Sequence, residues 1–360
     1  MDKATLENLV RSGELFDGAD LGGKDLAGAD LRGAVFANTS FRGANLAGAN
    51  LREATFTQCD FANAVLEGAT WRHATVMNTR FVMAKLGGAE FVNVTANGCD
   101  FTAAELGSAS LLLANFSKSC FDEATLAGAN LERASLLESS FKGASLAGAN
   151  LKRTALFRAD LVGVTLAGAR LEMTVLTEAK LAGHSFAGVD LHLTQLNDAN
   201  LEGCNFEKAK ITQVNFKGAN LKGAKLTRAD AKNAIFFEAR LEGVDARGAN
   251  LKEALFPKVI APAVPFDDAI LEMSIWHEAK APGASFKNCD LTYADFSHAS
   301  IEGADFSGAK MYRTRLHRVK DGGARYPLGR AGALGDDADL AEAEVWRDKH
   351  QRIWKGDGDA

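Results

Sequence analysis

Three histidines, His277, His298 and His317, recur at intervals close to twenty residues, with Glu278 beside the first. Imidazoles gathered with a carboxylate are the makings of a zinc site, which needs ligand atoms about 2.0–2.1 Å from the metal and a second shell that fixes the rings. If each ring sits one strand layer above the last, the rings lie about 5–10 Å apart; they read as surface imidazoles, and no metal is assigned to them. Five cysteines, Cys59, Cys99, Cys120, Cys204 and Cys289, form no CxxC pair and are odd in number, which points to a reducing, cytoplasmic setting rather than a disulfide framework. There is no GxGxxG or GxxxxGK[ST] between a strand and a helix, no HExxH and no GxSxG. No catalytic residue and no cofactor is assigned, and the chain reads as a non-enzyme.

The elements that would carry such groups follow from composition and spacing. The chain has 360 residues, 47% hydrophobic and 24% charged, with a net charge of −5. That balance excludes a disordered chain, a strongly basic nucleic-acid binder and a polyanion. No apolar run is long enough to span a bilayer, and the N-terminus lacks a basic segment followed by an apolar one. Phe is abundant at 22 against 3 Tyr.

A period of five explains that excess. From Phe16 to Leu316 every fifth residue is the large apolar one, giving 61 positions, of which Leu fills 30 and Phe 20. Only Phe157 and Phe237 lie outside this phase. Two residues before each large one stands a small one, mostly Ala; Cys59, Cys99, Cys204 and Cys289 occupy it and read as small core hydrophobes. His184 also occupies it and is a misfit there. Between small and large comes a polar residue, often Asp or Asn, as in Asp20, Asn50 and Asn150. The Asp residues recur too regularly to single out an acid–base pair. Five suits neither the helical period of 3.6 nor the strand period of 2. Two inward and three outward residues make one side and a corner, and four sides close a coil of twenty. Phe41, Phe61, Phe81, Phe101, Phe121 and Phe141 repeat at that spacing, as do Phe216, Phe236 and Phe256, so rings of successive coils should stack.

The unit A-(D/N)-(L/F)-x-x, over about 300 of the 360 residues, resembles the pentapeptide-repeat family. The resemblance implies an all-β fold: a right-handed quadrilateral β-helix of about 15 coils, some 70 Å long at the spacing of stacked strands, with short helical caps. Residues 1–15 read as an N-terminal helical cap, 16–316 as the β-helix, and 317–360 as an irregular linker and a C-terminal helix that starts at Asp336 or Asp337. Trp346, Ile353 and Trp354 are that helix's main apolar groups, and the last six residues read as frayed. Pro257, Pro262 and Pro265 crowd one coil without breaking the phase, so its edges should be locally unpaired.

Outward residues sort by side. One side carries Ala-Gly pairs, from Ala27-Gly28 to Ala187-Gly188, then turns basic through Lys208, Lys225, Arg228 and Arg247. The next holds Arg32, Arg52 and Arg72 among interleaved acids. The third is semi-apolar, with Met77, Leu137, Phe157, Val175, Ile235, Phe237, Leu255 and Ile275 at outward positions. Such an apolar cluster marks a contact surface; burial under the C-terminal segment or in self-association is the competing account.

These features point to a non-catalytic scaffold that presents faces to a protein partner, as a monomer or as a dimer through an end cap. Residues 316–350 resemble the tails of pentapeptide-repeat proteins associated with bacterial type VI secretion, which implies an accessory or adaptor for a secretion-system or effector component. Another branch of the family mimics DNA and binds gyrase or topoisomerase. That logic requires an anionic rod, whereas the first 120 residues hold 10 bases against 13 acids and residues 208–258 hold 11 bases against 5 acids. Direct nucleic-acid binding is limited to weak electrostatics, because the aromatic residues face inward. No specific nucleic acid and no membrane is expected as a partner.

Overall fold

The computed structural model describes residues 1–330 and 332–354, with side chains as far as Trp346 apart from those of 329 and 331. Helix α1 (Lys3–Arg11) is followed by parallel strands β1 (Leu15–Asp17), β2 (Val35–Ala37), β3 (Thr55–Thr57), β4 (Thr75–Met77) and β5 (Thr95–Asn97), then by single-residue parallel bridges, and finally by helix α2 (Ala338–Trp354). The fold is a solenoid of stacked coils. Phe16 pairs with Phe36 and Phe36 with Phe56, a register of twenty. Four ladders run along it, seen at Asp20↔Ser40, Asp25↔Asn45, Asp30↔Asn50 and Leu15↔Val35. The last runs without interruption in steps near twenty from Leu15 to Leu334.

The pentad has a local cause at every position. The large residues all point inward, and every one from Phe16 to Leu316 is buried; each contributes roughly 1.5–3 kcal/mol. The rings stack as the spacing predicts: Phe81 and Phe101 have centroids 4.6 Å apart, Phe101 and Phe121 4.9 Å, Phe236 and Phe256 4.8 Å. Hydroxyls and thiols at the small position donate to a carbonyl one coil back, as Thr154 does to Leu131 (2.7 Å) and Thr174 to Leu151 (2.8 Å), so they are satisfied inside the core. Asp or Asn before the large residue accepts from the N–H two residues on, as at Asp60 to Ala62 (2.9 Å); these Asx turns tighten the corner. The corner residue takes a left-handed conformation, with φ +66° at Gly148 and +67° at Gly128, which accounts for the Ala-Gly side.

Helix α1 closes the first coil. Asp2 caps it through Thr5 N–H (2.9 Å), Leu6 is buried, Glu7 accepts the N–H of Asp30 (2.9 Å), and Lys3 donates to Ala27 O (2.6 Å). Two side chains thus replace the backbone that a preceding coil would supply, which blunts an open edge.

Two expectations need adjusting. Residues 317–334 are not an irregular linker: Ser300 pairs with Lys320, Asp305 with Arg325 and Arg315 with Leu334, and the Tyr326 ring stacks on Phe306 at 5.1 Å. Tyr326 keeps the five-residue phase, but Asp321 holds the preceding large position and hides the continuation. The proline coil is unpaired locally, as expected, but over a short stretch: the Asp245–Pro265 bridge and the Gly243 N–H to Pro262 O rung are missing, while Ala246 N–H still reaches Pro265 O (3.0 Å). The last six residues and the side chains of Ile353 and Trp354 lie outside the described residues.

Candidate functional site

The ladder gathers the semi-apolar positions. Ile235 pairs with Leu255 and Leu255 with Ile275, with Phe237 beside the first; Val175 sits lower on the same ladder, and Met77, Leu137 and Phe157 share its side. Ile275 is 40% exposed and the others are half-buried. Phe157 and Phe237 are roofed by cations: the Arg158 guanidinium stands 4.7 Å from the first ring and the Lys217 ammonium 5.5 Å from the second. Cation–π contact explains how outward phenylalanines stay in water-facing positions.

At its C-terminal end this side meets α2. His277, His298 and His317 do come together, with ring centroids 5.1 and 5.4 Å apart. The carboxylate that joins them is not Glu278, which stays beside His277 (3.4 Å), but Glu344 of α2. Glu344 accepts from His298 Nε2 (2.8 Å), His317 Nε2 (3.4 Å) and Arg318 Nη1 (2.9 Å), and Arg318 also donates to Ala341 O (2.9 Å). His317 is fully buried, and its Nδ1 accepts the Asp337 N–H (3.1 Å). With Nδ1 accepting, the proton sits on Nε2, so that nitrogen donates to Glu344 rather than offering a lone pair to a metal. Burial works against the Glu344 carboxylate, but the bonds from His298 and His317 and the Arg318 charge outweigh it and hold the carboxyl below its usual range. His298, His317 and Glu344, the one metal-like cluster among the described residues, have ligand atoms within 4.8 Å of one another; the arrangement is a latch that fastens α2 to the coil stack. Glu344 left no periodic signal in the sequence. Trp346 is 63% exposed.

The basic stretch is partly neutralised. Arg247 grips Asp245 with two bonds (2.9 and 2.6 Å), and Lys208 lies 3.6 Å from Glu207. Lys225 and Arg228 are exposed and make no ion pair among the described residues. Acids elsewhere are bracketed by bases from neighbouring coils: Asp60 by Arg42 (2.8 Å) and Arg80 (3.8 Å), Asp160 by Lys180 (3.1 Å) and Lys142 (3.7 Å). Burial lifts these carboxyls, yet the turn N–H groups and the cations outweigh it and hold both low.

The four small-position cysteines are buried and donate to carbonyls, Cys204 to Leu181 O (3.1 Å) and Cys289 to Phe266 O (3.0 Å). Burial pushes the Cys59, Cys99 and Cys204 thiols up to about 11 and Cys289 to about 12. No described helix is long and apolar enough to cross a membrane.

A family model described as pentapeptide repeats matches residues 19–58, 97–133, 119–156, 155–192, 190–228, 215–252 and 277–319, well over half of the chain. Among solved structures, the chain is similar to a trypsin-treated form of QnrB1, a plasmid-mediated fluoroquinolone resistance protein, at 20% identity over 50% of this chain and 89% of that one, with a TM-score of 0.40. It is similar to HetL, a pentapeptide repeat protein involved in heterocyst differentiation regulation from Nostoc sp. strain PCC 7120, at 24% identity over 72% and 96% of the two chains, with a TM-score of 0.29. A pentapeptide repeat protein from the Arabidopsis thaliana thylakoid lumen matches at 28% identity over 32% and 68%, with a TM-score of 0.21. No curated protein sequence matches.

Proposed function

Because this chain belongs to the pentapeptide-repeat family, we propose that it is a non-catalytic scaffold whose rod presents its semi-apolar side to a protein partner. The observation that carries this is the alignment of Ile235, Leu255 and Ile275 on one ladder, beside a Phe237 roofed only by Lys217. A partner's apolar groups would displace that cation and cover the strip, while its acids would pair with Lys217. The likeness of residues 316–350 to secretion-associated tails supports an accessory or adaptor role for a type VI secretion or effector component, with the latched α2 as a second attachment point. Five unpaired thiols suit a reducing, cytoplasmic compartment.

Native capture from the source cell, read by mass spectrometry, tests the reading. The chain carrying Phe157→Glu and Phe237→Glu should keep its melting temperature and lose the partner. Undiminished capture would remove this side from consideration. The gyrase-binding alternative finds less support, since the acids that would imitate phosphates are bracketed by Lys and Arg on adjacent coils.

A further inference from the structure

Among the described residues, the longest break in the coil stack lies at its middle. Between residues 163–171 and 182–190, on two adjacent sides, six successive backbone rungs are missing. Among the described residues the N–H groups of Gly163, Leu166, Gly168, Leu171, Ser185 and Asp190 have no partner, and the bridges expected at 165–185 and 170–190 are absent. The coils on either side are intact: one layer below, Gly143 reaches Val162 O (3.1 Å), Leu146 reaches Thr165 O (2.9 Å) and Gly148 reaches Ala167 O (2.8 Å). One layer above, Gly183 reaches Glu202 O (2.8 Å) and Gly188 reaches Glu207 O (2.9 Å). The third side stays closed through Met173 N–H to His192 O (2.9 Å). The gap is a cleft of ≈ 490 Å³, within the roughly 300–1,000 Å³ of ligand sites.

His184 is the wedge. It fills a position where Ala is the usual occupant, and the break falls at its coil; a side chain larger than its column is built for forces backbone shifts of this kind. The residue is 8% exposed and lines the cleft. Nδ1 lies 2.9 Å from Leu181 O, an acceptor, so Nδ1 carries the proton and Nε2 is a bare acceptor. That Nε2 is buried and has no partner. A buried acceptor without a donor is costly, and so is a row of unpaired amides.

We propose that this cleft is a slot for an extended peptide of small side chains, inserted between the two coils as an extra parallel layer. The chemistry selects that occupant. The lower lip offers four backbone donors, at Gly163, Leu166, Gly168 and Leu171, and the upper lip two, at Ser185 and Asp190, each across from backbone carbonyls; an inserted extended backbone carries both acceptors and donors to meet them. The mouth is lined by Gly163, Ala167, Gly168, Ala182, Gly183 and Ala187, which leave room beside the backbone for small groups. A backbone N–H of the peptide would satisfy His184 Nε2. The slot opens on the Ala-Gly side, away from the semi-apolar strip, and stands independently of the function proposed above.

Hydrogen exchange of the full chain, read by residue-resolved mass spectrometry, tests the proposal. The six unpartnered amides should exchange at least about tenfold faster than Gly143, Leu146, Gly148 and Leu151, because exchange follows local opening. A synthetic peptide with the sequence of residues 143–150 is the probe, and a scrambled peptide the control. The probe should slow exchange of the six amides in the wild type. His184→Ala should close the gap, protect those amides without any peptide and abolish the probe's effect. Wild-type amides as protected as their neighbours would overturn the proposal. Fast exchange that the probe leaves unchanged even at millimolar concentration would also overturn it, leaving a water-filled fault in the stack.

Discussion

Glu344 and His317 join two parts of the chain that share no repeat: the carboxylate of α2 lies 3.4 Å from the Nε2 of a ring that is wholly buried in the coil stack. The same ring accepts the Asp337 N–H, the residue that also caps α2 through Leu340 N–H at 3.0 Å. Helix position and ring tautomer are therefore fixed together.

Glu344→Gln should free α2 while leaving the rod intact. Amide exchange over residues 338–346 should rise severalfold, with the main melting transition unmoved. The pH dependence has a definite sign. A carboxyl held below its ordinary value, about 4.3, favours the docked helix above that value and loses the contribution as pH falls through its lowered one. Helix docking should hold at neutral pH and be lost once acid protonates Glu344; docking that persists in strong acid would deny Glu344 this part.

Phe101→Asp tests the register. The ring is stacked between Phe81 and Phe121, and truncating such a ring alone costs roughly 3–5 kcal/mol. A carboxylate left in its place adds the cost of an unpaired buried charge. Melting at the wild-type temperature would contradict the stacking.

Glu7→Ala removes the acceptor for Asp30 N–H. It should cost about 1 kcal/mol and raise exchange in the first coil, with later coils unaffected because each coil depends on its neighbours alone.

Thiol labelling should sort the cysteines. Cys120 is half-buried, whereas the other four are buried and held as thiols by their raised pKa values. In the native chain an alkylating reagent at pH 8 should modify Cys120 first, with the rest appearing on unfolding. Rapid labelling of Cys204 would contradict its burial.

Gyrase supercoiling should proceed unchanged when the chain is added. Clear inhibition or protection would favour the DNA-mimic reading.

Phe101 shows what was legible from sequence. Its type, spacing and phase dictate an inward ring, and nothing distant alters that. Tyr326 was legible only in part, since Asp321 interrupts the column just before it. Glu344 was not legible, because a helix's docking depends on where its charges meet a surface, and no periodicity records that. His184 stood out as a misfit, but its effect on six backbone rungs could not be read from a phase that runs on undisturbed through it.

The steady register of twenty carries a kinetic consequence. Nearly every tertiary contact joins residues about one coil apart, so relative contact order is on the order of 20/360, near 0.06, at or below the range of helical bundles. Parallel strands ordinarily demand slow closure of long loops. Here each closure is short and the same as the last, so folding can start at many points along the chain and spread by zipping, and an all-β chain of this length acquires the loop-closure economy of a helical one.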